Sequence, residues 1–223
     1  FYGIYFTATD ALATLENIVS NNLIYNTNGS GTVYGIYNGG SDNVWYYHNT
    51  IHLDGVATLS THLTRAFYQT TAAGGIEFRN NNITISRTGP DIRHMMYLNT
   101  PTTEIVSNNN NFFYFSQGSY NNVGYKNAND YATLNDWQIA TTHDTNSVAN
   151  DPMYEDIATG NFKPSNASIN DLGAALTLPI AIDIKGEARN ITTPDIGAFE
   201  FEPERCVVPP IAGTATVSET PVC

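Results

Sequence analysis

The sequence predicts an all-β fold, a parallel β-helix in which coils of about thirty residues stack on one another. Three observations carry that prediction. Short aromatic triplets recur in order, Gly3-Ile4-Tyr5, Gly35-Ile36-Tyr37, Ala66-Phe67-Tyr68 and Met95-Met96-Tyr97, with their tyrosines 32, 31 and 29 residues apart (5 to 37, 37 to 68, 68 to 97). Each triplet is followed by a second β-prone triplet and then by an Asn-x-apolar element. No helical period runs through residues 1–116; Gly, Asn, Ser and Thr separate short β-branched and aromatic runs instead.

The first triplet of each coil reads as a strand. With Ile4, Ile36, Phe67 and Met96 inward, alternation sends Tyr5, Tyr37, Tyr68 and Tyr97 outward as a ladder. The inverse, with the aromatic stack inside the coil, competes with it. Outward phenols would offer rings to the apolar faces of sugars and hydroxyls to their hydroxyl groups.

The second triplets are Asn17-Ile18-Val19, Asn43-Val44-Trp45, Gly75-Ile76-Glu77 and Glu104-Ile105-Val106. With Val44, Tyr46, Ile76 and Phe78 inward, Trp45, Tyr47, Glu77 and Arg79 lie outward side by side. An aromatic pair beside an ion pair could grip a polysaccharide. The plainer reading is a cross-strand surface pair worth only ~0.5 kcal/mol.

The third elements place Asn22, Asn49, Asn81 and Asn110 at equivalent positions. Stacked at the ~4.8 Å inter-strand spacing, their amides would bond the ones above and below as an asparagine ladder at a bend. Asn also tolerates the left-handed backbone that such a bend can require. Residues 117–150 break the pattern. Tyr131 to Thr141 reads as a short covering helix, with Asp130 or Asn129 as its cap.

Composition narrows the function. The 223 residues carry a net charge of -12, with nine Lys and Arg in all and no basic cluster. Phosphate backbones and anionic membrane surfaces both need positive counter-charge, so a nucleic-acid partner is excluded and a membrane surface disfavoured. The longest apolar stretch, Leu172 to Ile184, is shorter than the ~20 residues needed to cross a bilayer and is broken by Thr177, Pro179 and Asp183. His48, His52, His62, His94 and His143 have no Cys or carboxylate at metal-ligand spacing beside them. Asp42, Asp54 and Asp91 fall in predicted turns, without the Asp-x-Asp-x-Asp run of a calcium loop. No metal and no cofactor is expected.

Phe1-Tyr2-Gly3-Ile4-Tyr5 starts inside the repeat, which reads as a piece of a longer protein. Glu202-Pro203-Glu204-Arg205 and Pro209-Pro210 read as a linker. They divide the chain into a β-helix over residues 1–203 and a tail over 204–223, in which Thr214 to Ser218 looks like the first strand of a new module. Cys206 and Cys223 could form a disulfide outside the cytoplasm; alternatively Cys223 pairs with a residue beyond this chain.

The last third carries a family likeness. Leu134-Asn135-Asp136-Trp137-Gln138, Asn150-Asp151-Pro152-Met153-Tyr154, Asn161-Phe162-Lys163-Pro164, Asp183-Ile184-Lys185-Gly186-Glu187-Ala188-Arg189 and Asp195-Ile196-Gly197-Ala198-Phe199-Glu200 follow one another in that order. Together they resemble the closing region of secreted right-handed parallel β-helix proteins of the pectate-lyase-like superfamily, as carried by large surface proteins of Bacteroidetes-type bacteria. Pro209 to Thr216 is similar to the start of immunoglobulin-like adhesin repeats. The resemblance implies an extracellular, cell-surface setting. It gives Asp183, Arg189 and Asp195 a structural role, an Asp–Arg contact that ties the last turns together.

Relatives of that superfamily cleave polysaccharides, but hydrolysis needs carboxylates converging on one face. Among the repeated outward positions only Glu77 is one with an aromatic neighbour, and no Lys precedes Lys126. No catalytic residue is therefore carried over. The expected function is a non-catalytic surface protein, an adhesin or stalk segment. It would bind a polysaccharide or cell-surface glycan through Tyr5, Tyr37, Tyr68 and Tyr97, or through Trp45, Tyr47, Glu77 and Arg79. The alternatives are a β-helix polysaccharide lyase or glycoside hydrolase, and a scaffold contacting other surface proteins.

Overall fold

Successive coils of the chain each lay one strand on each of three faces. The structure is a computed structural model that describes residues 1–115 and 120–203. The first coil holds β1 (Tyr2–Phe6), β2 (Asn17–Ser20) and β3 (Leu23–Ile24). The second holds β4 (Val33–Asn38), β5 (Val44–Tyr47) and β6 (Thr50–Leu53). The third holds β7 (Leu63–Gln69), β8 (Ile76–Arg79) and β9 (Asn82–Ile85), and the fourth β10 (Ile92–Leu98), β11 (Ile105–Asn108) and β12 (Asn111–Tyr114). Like strands pair in parallel from coil to coil, giving sheets β1-β4-β7-β10, β2-β5-β8-β11 and β3-β6-β9-β12. The chain is thus a nearly all-β parallel solenoid of about four turns, the fold class that the thirty-residue repeat predicts.

The repeat positions pair directly. Tyr5 lies opposite Tyr37, Tyr37 opposite Tyr68 and Tyr68 opposite Tyr97, with Ile4, Ile36, Phe67 and Met96 likewise in register. Ile36, Phe67 and Met96 are fully buried and join Ile51, Leu53 and Phe78 in one continuous core. Burying such side chains stabilises by roughly 1.5–3 kcal/mol each.

Three expectations need correction. The second strand of the first coil is offset by one residue, because Asn17 pairs with Val44 and Ile18 with Trp45. That register sets Val19 beside Tyr46 in the core and leaves Ile18 on the surface. The pattern also runs on past residue 116. There, β13 (Asn121–Lys126) pairs in parallel with β10, bringing Tyr125 opposite Tyr97 as a fifth rung. Finally, the helix is α1 (Leu134–Thr141), capped by the Thr133 hydroxyl, which accepts from the Asp136 N–H at 3.1 Å. Asn129 and Asp130 are spent on β14 (Asn129–Tyr131), which folds back antiparallel on β13 and covers the sheet edge.

The helix caps the core. The buried Trp137 lies against Gly124, where a Cβ atom would come within 2.1 Å of the indole. Gly124 is paired with Met96, so the indole fills the space that an inward side chain takes in the other coils.

Asparagines organise the bend between the second and third strands. Asn22 Nδ2 donates to Asn49 Oδ1 at 2.9 Å, Asn49 Nδ2 to Asn81 Oδ1 at 3.0 Å, and Asn81 Nδ2 to Asn110 Oδ1 at 3.1 Å. The residues in left-handed backbone are the ones just before: Asn21, His48, Asn80 and Asn109, with φ of 54°, 52°, 57° and 55°. Those side chains hold the C-terminal segment against the stack. Asn109 Nδ2 donates to Leu172 O, Asn80 Nδ2 to Ala174 O and Asn21 Nδ2 to Ile182 O, and His48 Nδ1 bonds Asp195 O. Residues 172–197 thus form a strap reaching back across all four coils.

Within the strap, Asp183 accepts from the N–H groups of Lys185, Glu187 and Glu200, and Asp195 from those of Asp171 and Phe201. Arg189 pairs with Glu200 at 3.1 Å rather than with an aspartate, and it also reaches Asn21 in the first coil at 2.9 Å. Asp91 lies in a bend, as expected, and is buried between Arg87 and Arg93. Cys206, Cys223, the linker from residue 204 and the immunoglobulin-like opening lie outside the described residues.

Candidate functional site

The outer face of the first sheet holds four of the eight candidates for glycan contact, Tyr5, Tyr37, Tyr68 and Tyr97. The outward tyrosines form a five-rung column, Tyr5, Tyr37, Tyr68, Tyr97 and Tyr125. Tyr5 and Tyr37 stack at 4.7 Å and 16°, and Tyr97 and Tyr125 at 4.1 Å and 3°. Tyr68 stands nearly perpendicular to both neighbours, at 84° to Tyr37 and 88° to Tyr97, with centroids 5.3 Å away in each case. Stacked rings spend their faces on each other and present edges and hydroxyls. Tyr68 is turned differently from the rest of the column.

A second column lies beside the first. Tyr2, Tyr34, Arg65 and His94 are cross-strand neighbours. Strict alternation places Tyr34 and Tyr37, three residues apart, on opposite faces. They share a face because Gly35 and Ile36 between them both turn to the core. A Cβ on Gly35 would come within 2.9 Å of the Ile51 side chain and 2.6 Å of the Ala66 carbonyl, so the close approach at this turn of the strand excludes a larger residue. The column of Gly3, Gly35 and Ala66 is the signal in the sequence that marks the turn.

Arg65 is the centre of the face. Its guanidinium carbon sits 3.4 Å from the ring centre of Tyr97 and 4.1 Å from that of Tyr68, with Tyr34 at 6.0 Å. His94 packs edge-on against Tyr97 at 4.9 Å and bonds Asp130 Oδ1 through Nε2 at 2.8 Å. Burial lowers the His94 pKa, partly countered by Asp130. Burial, then the bond to Tyr125, pushes the Tyr97 phenol up to about 12, with Arg65 opposing. The Tyr97 phenol therefore stays protonated near neutral pH, a donor and an acceptor at once. None of the strands β1, β4, β7, β10 and β13 contains Asp or Glu.

The second candidate face is tied up in itself. Trp45 and Tyr47 are 5.6 Å apart, but Tyr47 is fully buried and donates its hydroxyl to Glu77 Oε2 at 2.6 Å. Glu77 also pairs with Arg79 at 3.1 Å. Burial and the Glu77 contact raise the Tyr47 pKa. Beside them runs an open groove of about 430 Å³ whose lining includes Glu16, Trp45, Glu77, Glu104, Val106 and His143.

Among the described residues no group of three or more His, Cys, Asp or Glu is placed to hold a metal, and no helix is long and apolar enough to cross a membrane. His48 and His52, which flank Asn49, are both buried and engaged. His52 bonds Thr84 and Ser86 through its two ring nitrogens. Neither a family model nor a curated protein matches this sequence.

Proposed function

We propose that this chain is a non-catalytic segment of an extracellular surface protein that binds glycans on the outer face of its first sheet. The observation that carries the reading is the five-rung tyrosine column. It repeats a phenol hydroxyl and a ring edge at each step of the stack, ~4.8 Å apart. A polymer of repeated sugars lying along such a column meets the same group at each step, and weak contacts add through multivalency. The absence of Asp and Glu from those five strands favours holding a glycan over hydrolysing one, which takes two carboxylates. The extracellular setting rests on the likeness of the closing motifs to secreted β-helix proteins.

Tyr37→Ala with Tyr68→Ala tests the reading on a glycan array. Retention by the parent chain and its loss in a variant that keeps the β-sheet circular dichroism is the expected result. Retention unchanged in the variant rejects the tyrosine column as the binding surface.

A further inference from the structure

Arg65 stands apart from the other buried arginines. It is 6% exposed, yet it makes no hydrogen bond or ion pair with any described residue. Its Nε is buried without an acceptor. The other buried arginines are all engaged: Arg87 with three backbone carbonyls and Asp91, Arg93 with Asp91 and Asn121, Arg189 with Glu200 and Asn21. Only cation–π contacts hold Arg65. Tyr68 and Tyr97, whose rings stand at 88° to each other, form a clamp on the guanidinium, with its carbon 4.1 and 3.4 Å from their ring centres.

A guanidinium with no hydrogen-bond or ion-pair partner among the described residues is suited to a planar or tetrahedral oxyanion, which it can grip with two parallel N–H bonds. The clamp fixes the side chain in advance, so little rotamer freedom is lost on binding. Tyr37, Tyr68 and Tyr97 are the rungs of the column nearest that position in the sheet register. The rest of the chain sets a limit on the ligand. With a net charge of -12, a densely anionic polymer that runs over the acidic surface is repelled along its length, whereas a single anion close to Arg65 feels mainly the guanidinium, because charges more than ~8 Å away are screened.

We propose that Arg65 is an anion-recognition site within the glycan-binding face, selecting a sugar chain with one carboxylate or sulfate among otherwise neutral units. The proposal rests on the glycan reading above and adds the ligand class to it. Tyr68 and Tyr97 position the guanidinium; Tyr34 and the remaining rungs contact neutral sugars.

The test compares the parent chain with Arg65→Gln and Arg65→Lys on immobilised sialyllactose, sulfated lactose, lactose and polygalacturonate. The expected result is at least tenfold stronger retention on sialyllactose or sulfated lactose than on lactose. Whichever of the two holds better identifies carboxylate or sulfate as the anion. Arg65→Gln brings that preference to about one, and Arg65→Lys restores part of it. In the parent chain the preference shrinks as sodium chloride rises to about 0.5 M, a readout that does not depend on any variant folding. Equal retention of lactose and its acidic forms overturns the anion site while leaving the glycan face standing. So does a preference indifferent to salt, and so does polygalacturonate binding tightest. No retention on any of the surfaces overturns both proposals.

Discussion

Asn110 Nδ2 donates to Asp144 Oδ1 at 2.9 Å, and the asparagine column of the bend ends there. Each asparagine above it hands its amide to the next side-chain carbonyl, so the last one needs a group that only accepts. Asp144 is that group. It also accepts from Ser107 and Ser147 on the same oxygen and from the Trp137 indole at 2.8 Å on the other. One carboxylate thereby ends the ladder and fixes the tryptophan that closes the core.

Asp144→Asn should test that arrangement. An amide in that place must turn its NH₂ group toward either the indole N–H or the donors on the opposite side. We expect a loss of about 1–3 kcal/mol from a buried donor left facing a donor, read by urea denaturation, with a red shift in tryptophan emission as Trp137 loosens. Unchanged stability would show that the carboxylate is not needed as an acceptor.

Removing a middle rung should cost more. Asn81 accepts from Asn49 and donates to Tyr46 O, Arg79 O and Asn110 Oδ1, all within the buried bend. Asn81→Ala strands several of these groups at once. A loss of roughly 3 kcal/mol or more is expected, measured as the shift in denaturation midpoint. A loss below about 1 kcal/mol would deny the ladder its structural role.

His48 makes the strap sensitive to acid. Asn80 Nδ2, a donor, faces His48 Nε2 at 3.2 Å, and His48 Nδ1 bonds the Asp195 carbonyl at 3.1 Å. The ring is therefore neutral, with its proton on Nδ1. Burial, then the nearby Arg189, lowers its pKa to about 3. Because the folded pKa lies below the unfolded value of about 6.5, the unfolded chain takes up the proton first as pH falls, and stability is lost between about 6.5 and 3. Asp195 runs the other way. Burial raises its carboxyl to about 7, so its contribution is present at low pH and is lost as pH rises from 3.8 toward 7. His48→Asn isolates the histidine, since Asn occupies the equivalent left-handed position in the other coils. The stability difference between parent and variant should shift by on the order of 1.4 kcal/mol for each pH unit below 6.5. A difference independent of pH would contradict the neutral, bridging histidine.

Gly124→Ala probes the cap from the other side. A methyl group there overlaps the Trp137 ring, and overpacking of this kind typically costs 1–3 kcal/mol. Thermal unfolding and tryptophan emission should move together. A variant as stable as the parent would mean that the indole does not rest on that strand.

Much of this was legible in the sequence because stacked coils repeat. The Ile-Tyr, Ile-Tyr, Phe-Tyr and Met-Tyr steps gave the register of the first sheet, and the spacing of Asn22, Asn49, Asn81 and Asn110 gave the bend. What was missed has local causes. Tyr2, Tyr34, Arg65 and His94 escaped notice because period-two alternation fails where two consecutive residues face the core. Tyr125 escaped because Gly124 replaces the apolar residue of the motif, its place being filled by a tryptophan thirteen residues later. The strap has no period of its own; its hold depends on side chains of left-handed residues, and only the folded bend brings those into a column. On the second face, alternation placed Tyr47 outward, but the bond to Glu77 and close packing bury it.

The account depends above all on Tyr37 lying directly against Tyr68 across adjacent coils. The direct measurement is oxidative cross-linking of Tyr37→Cys with Tyr68→Cys, in a chain where Cys206 and Cys223 are Ser. Paired parallel strands hold such Cα atoms within disulfide reach. We expect rapid, complete closure, seen by mass as the loss of two hydrogens, and none for Tyr37→Cys with Gln69→Cys, whose side chains point to opposite faces. Closure of both pairs at the same rate, or of neither, would contradict the stack and the binding face built on it.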